Sequence, residues 1–133
     1  MLVPAHNESS GIASTLASVA PQLGPQDRIL VVADNCNDNT AEVARAHGAE
    51  VTERQDAVRR GKGYALDHGM KQLAADAPDW VLICDADCEL APGSIDQLLA
   101  SSIECGRPSQ ALYLMTSPPG ARVNQRFSEF AWR

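Results

Sequence analysis

Trp80-Val81-Leu82-Ile83-Cys84-Asp85-Ala86-Asp87 is the stretch whose reading decides the fold. Its first five residues are apolar, Val81 and Ile83 among them, and predict a strand buried on both faces. The strand runs directly into Asp85 and Asp87, two carboxylates one residue apart. In an open α/β sheet, ligands sit beyond the carboxyl ends of the strands, which is where both acids fall. Neighbouring carboxylates repel each other unless a proton or a cation neutralises the pair. A hard divalent metal ion is the natural cation, because such ions prefer oxygen ligands and often share them with phosphates. A solvated turn with two aspartates is the alternative, and the rest of the chain has to choose between them.

Outward from this strand, apolar runs alternate with helical patterns. Met1 to Pro4 has strand character but is short for a central strand, so further apolar residues are expected before it. A polar loop, residues 5–10, leads into a helix marked by Ile12, Leu16 and Val19 and closed by Pro21. Residues 28–33 form a second strand around Ile29, Leu30, Val31 and Val32, followed by the polar loop 34–39. The next helix starts near Thr40, with Asn39 and Glu42 spaced as a capping box, and ends at Gly48. Residues 49–53 are a strand poor enough in apolar side chains to lie near a sheet edge. After a charged loop, residues 64–75 predict a helix burying Leu66, Met70 and Leu73. Downstream of the Asp pair, Pro92 opens a helix carrying Ile95, Leu98, Leu99 and Ile103. Residues 110–115 predict a fifth strand and 123–133 the start of another helix.

Such alternation gives an α/β layered fold with a mostly parallel sheet flanked by helices. Parallel topology then brings the loops 5–10, 34–39 and 85–89 to one sheet edge, so their carboxylates converge. That convergence strengthens the metal reading.

Composition narrows the function classes. The chain has 133 residues, 44% hydrophobic and 21% charged, ordinary values for one globular unit. A net charge of −6 argues against nucleic acid as a partner. Residues 54–71 run the other way, with Arg54, Arg59, Arg60, Lys62 and Lys71 against Asp56 and Asp67. A basic segment in an acidic protein suits a small anionic ligand. No apolar run approaches membrane-spanning length. Cys36, Cys84, Cys88 and Cys105 lack zinc-site spacing and read as reduced thiols of a cytoplasmic protein.

Four segments, in order, resemble the signature segments of the family 2 glycosyltransferases. They are Val3-Pro4-Ala5-His6-Asn7-Glu8, the run from Val31 to Thr40, Arg60-Gly61-Lys62-Gly63-Tyr64-Ala65-Leu66, and Asp85-Ala86-Asp87. The resemblance implies a GT-A (Rossmann-like) fold, here incomplete at its C-terminal side. It makes residues 1–133 a single nucleotide-sugar-binding portion of a glycosyltransferase domain. It also implies a nucleotide-diphosphate sugar donor, most often UDP-linked, and a divalent cation, Mn2+ or Mg2+. By the family pattern, Pro4, Ala5 and Glu8 line the nucleoside pocket, and Asp34 reads the base. Lys62 approaches the donor, and Asp85 and Asp87 bind the metal, with Asp87 the direct ligand. Asp38 reads as a cap or loop former, and His6, His47 and His68 as structural or solvent-exposed. Tyr64, Trp80, Phe127, Phe130 and Trp132 read as packing residues.

This sequence departs from the family pattern at Ala33, which replaces the first of two acids, and at Asn35-Cys36-Asn37, which replaces a Gly-Ser-Thr run. Nothing in residues 96–133 matches the acceptor half of the family, and neither Glu104 nor Glu129 is assigned as general base. The expected reaction is metal-dependent transfer of a sugar to an acceptor hydroxyl, the acceptor being unspecified. The expected location is the cytoplasm, or the cytoplasmic face of a membrane for a longer form. Two alternatives stay open: a catalytically incomplete nucleotide-sugar and metal-binding module, and a nucleotidyltransferase.

Overall fold

Residues 1–54 wind into two successive β–α–β crossovers. The computed structural model describes residues 1–114. In it β1 (Leu2–Ala5), β2 (Leu30–Asp34) and β3 (Glu50–Arg54) form a parallel sheet in that order. Leu2 pairs with Leu30 and Ala5 with Ala33, while Leu30 pairs with Glu50 and Asp34 with Arg54. The crossovers are α1 (Ile12–Val19) and α2 (Thr40–Ala46), and α3 (Lys62–Leu73) follows β3. Among the described residues β3 lies at a sheet edge, as its sparse apolar content predicts. The chain divides into two compact units, Met1–Gly93 with the sheet and a second beginning at Ser94 with α4 (Ser94–Cys105).

The opening stretch behaves differently from its sequence pattern. Residues 81–84 make one isolated parallel bridge, Ile83 to Leu2, with Leu2 N donating to Leu82 O at 2.8 Å and Cys84 N to Leu2 O at 3.1 Å. Cys84 is buried, but Ile83 is 49% exposed and Trp80 51% exposed. Among the described residues the segment is therefore an edge arm with β1 on one side, not a strand buried on both faces. The four-residue β1 gives it little ladder to pair with. β1, although short, lies between β2 and this arm, because Leu2 and Val3 are wholly buried. The predicted fifth strand does not form over residues 110–114, where Leu112, Tyr113 and Leu114 are exposed. Met115, the predicted 123–133 helix, Phe127, Glu129, Phe130 and Trp132 lie outside the described residues.

Strand alternation sends Leu2, Leu30 and Val32 to the face covered by α3, where they pack with Ala65 and Leu73. The buried stripe of α3 is Ala65, Gly69 and Leu73; Met70, expected inside, is 45% exposed. Small residues win that face because the helix lies close to the sheet. A Cβ on Gly69 would stand 2.5 Å from Leu2 Cδ1 and 2.9 Å from Val32 Cγ2. Both neighbours are fully buried and have nowhere to retreat. Gly69→Val is accordingly expected to lower the unfolding free energy by about 2–3 kcal/mol, since overpacking outweighs any gain in helix propensity. An unchanged urea midpoint would refute this close packing.

Candidate functional site

The carboxyl ends of β1 and β2, the start of α3 and the turn after the edge arm enclose a cleft of about 420 Å³. Its walls are built by four loops, each held in a distinct way.

The loop after β1 is stitched to the loop after β2. Asn7 and Asn35 adopt left-handed backbone conformations, φ 56° and 53°, which asparagine tolerates better than most residues. His6 Nδ1 donates to the Asp34 carbonyl at 2.7 Å, and Asn37 N donates to Asn7 Oδ1 at 2.7 Å. Glu8 N donates to Thr40 Oγ1 at 2.9 Å, and that hydroxyl in turn donates to Asp38 Oδ1 at 2.5 Å. The hydroxyl, with Ser9 N and Thr40 N, holds the Asp38 carboxyl well below the usual carboxylate range. Asp38 thus caps α2 and ties the loops together; Asn39, expected to cap, makes no side-chain cap bond. His47 and His68 are also structural, bonded to Val43 O at 2.9 Å and Thr52 Oγ1 at 2.9 Å.

Asp34 ends β2 and is 4% exposed. Arg54, its cross-strand neighbour, donates to Oδ1 at 2.5 Å, and Asn35 Nδ2 donates to the same oxygen at 3.0 Å. Among the described residues no donor reaches Oδ2, which leaves that oxygen as the acceptor available at the cleft wall. The Arg54 guanidinium stands 5.7 Å from the Tyr64 ring centroid and 3.3 Å from Asp56 Oδ2. Tyr64 is thus a half-exposed platform for Arg54 and not a core residue. Backbone N–H groups of Arg59 and Val58, with the Arg59 side chain, hold Asp56 down at about 2.

Lys62 is the first residue of α3, two residues earlier than the predicted helix start, after Gly61 at φ 107°. Its Nζ pairs with Asp85 Oδ1. The α3 N-terminus, with its unpaired N–H groups, therefore faces the cleft beside a lysine, an arrangement that suits an anion. Asp85 and Asp87 follow the edge arm, with Ala86 buried between them. Asp87 is exposed; Cys88 Sγ lies 3.8 Å from its Oδ1, and among the described residues no basic side chain pairs with it. Burial, then Cys88 and Asp85, push the Cys84 thiol up to about 12, so it stays a protonated packing group. None of the four cysteines forms a disulfide.

Pro4, Ala5, Glu8, Asp34, Lys62, Asp85 and Asp87 all line this one cleft. His6, Asn35, Arg60 and Ala65 line it too and were not assigned to the site from sequence. Arg54 was also missed, although a parallel pairing of the second and third strands sets it opposite Asp34. Asp85 and Asp87 offer hard oxygen donors, and no group of three or more His, Cys, Asp or Glu among the described residues could hold a metal. Two carboxylates fit an ion that completes its coordination with water and phosphate oxygens.

Residues 1–107 match the family described as "Glycosyl transferase family 2". The chain belongs to that family. Among curated relatives, this glycosyltransferase family member is 37% identical over 93 residues to glucosyl-3-phosphoglycerate synthase of Mycobacterium tuberculosis, covering 65% of this chain and 28% of that one. It is 33% identical over 90 residues to poly-beta-1,6-N-acetyl-D-glucosamine synthase of Staphylococcus epidermidis, covering 65% of this chain and 21% of that one. Among solved structures, a mycobacterial protein superposes with a TM-score of 0.64 at 30% identity, covering 77% of this chain and 36% of the other. The Mycobacterium tuberculosis glucosyl-3-phosphoglycerate synthase, crystallised with Mn2+, UDP and glucosyl-3-phosphoglycerate, superposes with a TM-score of 0.60 at 31% identity over 74% of this chain and 37% of that one. The same enzyme has also been crystallised with Mg2+ and UDP. The fold is the GT-A, Rossmann-like layer, and the chain spans well under half the length of these relatives. Among the described residues no helix is long and apolar enough to cross a membrane.

Proposed function

We propose that this chain binds a nucleotide-diphosphate sugar, with UDP as the nucleotide, and a divalent cation, Mn2+ or Mg2+, as the donor side of a sugar transfer to an acceptor hydroxyl. The observation that carries the reading is the single cleft, whose walls include an acceptor-bearing Asp34, a basic helix start and a carboxylate pair. Solved relatives crystallised with Mn2+ and UDP support the same choice of ligands.

Each residue has a task in this reading. Pro4, Ala5 and Glu8 line the nucleoside end, and Asp34 Oδ2 accepts from a ring N–H of the base. Lys62, the α3 N-terminus and Arg60 offer positive charge to the diphosphate. Asp87 and Asp85 hold the cation, which when bound neutralises the leaving diphosphate as a Lewis acid. An acceptor hydroxyl would attack the anomeric carbon, its proton passing to a carboxylate. The carboxylates of the cleft serve the donor side, and none of them is assigned as that base. We place the protein in the cytoplasm, or at the cytoplasmic face of a membrane in a longer form; four cysteines without a disulfide support this.

Titration calorimetry with uridine, guanosine, cytidine and adenosine diphosphates, each with and without MnCl2, tests the reading. UDP is expected to bind, and manganese to raise its affinity by at least about tenfold. Failure of every nucleotide to bind would overturn the proposal. Slow release of free sugar from UDP-sugars by this chain would show catalytic competence; metal-dependent binding without turnover would identify a donor-binding module.

A further inference from the structure

The turn that carries Asp85 and Asp87 is fastened from below by two hydroxyls of α1. Thr15 is fully buried, and its Oγ1 donates to the Ala86 carbonyl at 2.7 Å, across 71 residues of chain. One helical turn on, half-buried Ser18 accepts from Leu90 N at 3.0 Å and donates to the Thr15 carbonyl at 2.8 Å. Both ends of the segment 86–90 are thereby tied to one helix, and Cys88 N donates to Asp85 O at 3.2 Å to close the turn between them. Gly11, just before α1, also adjoins the turn: a Cβ there would sit in ordinary van der Waals contact, 3.7 Å from Ala86 O and 3.9 Å from Asp87 Cα. A buried threonine hydroxyl on a helix usually has its own i−4 carbonyl within reach, so a bond to a distant loop carbonyl is a specific choice.

The geometry points to Thr15 as a positioning residue for the metal-binding carboxylates, with Ser18 as its second anchor; this rests on the donor-binding reading above. The Ala86 carbonyl belongs to the peptide that joins Ala86 to Asp87. Fixing its oxygen fixes the plane from which the Asp87 side chain departs, and with it the spacing between the two carboxylates. Neither Thr15 nor Ser18 lines the cleft. Their contribution is to hold the pair in its cation-binding arrangement before the ion arrives, as outer hydrogen-bond partners do in metal sites.

Three variants test this: Thr15→Val, which keeps the shape and removes the donor, Thr15→Ser, which keeps the donor, and Ser18→Ala. The readouts are UDP affinity with and without MnCl2, and amide hydrogen exchange at Cys88 and Leu90, both hydrogen-bonded donors of the turn, in the metal-free chain. Thr15→Val is expected to leave metal-free UDP affinity unchanged, to lose about tenfold of the manganese-dependent gain, and to speed exchange at both amides. Thr15→Ser is expected to restore both. Thr15→Val with the full manganese gain and unchanged exchange would overturn the assignment. Should Thr15→Val fail to fold, Ser18→Ala carries the test, with a severalfold loss of the gain expected and no loss overturning it. A wild-type chain without any manganese-dependent gain would defeat the donor-binding reading instead, and amide exchange would still decide whether Thr15 fastens the turn.

Discussion

Asp87→Ala is expected to abolish the manganese-dependent part of UDP binding, a loss of about 100-fold or more, while the thermal midpoint stays within a degree or two of wild type. The carboxylate is exposed and has no ion-pair partner among the described residues, so its removal leaves the surrounding packing intact. Loss of outer hydrogen-bond partners in metal sites costs 10–100-fold in affinity, and loss of a ligand itself should reach at least the upper end of that range. Asp85→Ala provides the contrast. It too removes a proposed ligand, but it also releases Lys62 from its ion pair. Metal-free UDP affinity should then hold or rise, because the ammonium is no longer neutralised beside the cleft. Calorimetry separates the two patterns, and undiminished manganese dependence in Asp87→Ala would refute its role as ligand.

The second large effect is on stability. Arg54→Met is expected to destabilise the chain by about 3–5 kcal/mol, because it leaves the Asp34 carboxylate, 4% exposed, without its counter-charge. The Arg54 side chain is 11% exposed and also ties Asp56 and the Arg59 carbonyl to the end of β3. The 54–60 loop should loosen with it. Adding Asp34→Asn to Arg54→Met removes the orphaned charge and should recover much of the loss, since replacing both partners of a buried pair is far less costly than removing one. UDP affinity should not fully recover, because the amide keeps one acceptor oxygen but loses the carboxylate's charge and puts an NH2 donor in place of its second oxygen. A single-variant loss below about 1 kcal/mol in urea unfolding would show that the pair is solvated and structurally idle.

Much of the site was legible in the sequence because parallel topology leaves few choices. Once residues 28–33 and 49–53 are strands joined by a helix, the loops at 5–10, 34–39 and 85–89 share one edge. Pro4, Ala5, Glu8, Asp34, Lys62, Asp85 and Asp87 then have one cleft to line. Less legible were the residues that act through a neighbour. Arg54 looks like one of several basic residues in a charged loop until strand register sets it against Asp34. Thr15 looks like a neutral helix position until the fold brings Ala86 beneath it. Gly69 looks like a weak point in α3 until Leu2 and Val32 occupy the space its side chain would need.

The central misreading has the same origin. Trp80 to Cys84 has the apolar run of an inner strand, yet among the described residues it finds one neighbour, β1, and leaves Trp80 and Ile83 half exposed. An apolar run reports a preference for burial, but the number of neighbours available to bury it is a property of the assembled sheet. By itself, the sequence determined the α/β alternation, the family and the loops that converge, because periodicity, turn residues and short ordered motifs are local. Only the tertiary structure decided which carboxylates are paired and which stand open. It set Asp34 against Arg54, Asp85 against Lys62, and left Asp87 facing the cleft without a counter-charge among the described residues. Such pairing depends on distances between residues far apart in the chain, and register and helix docking set those distances.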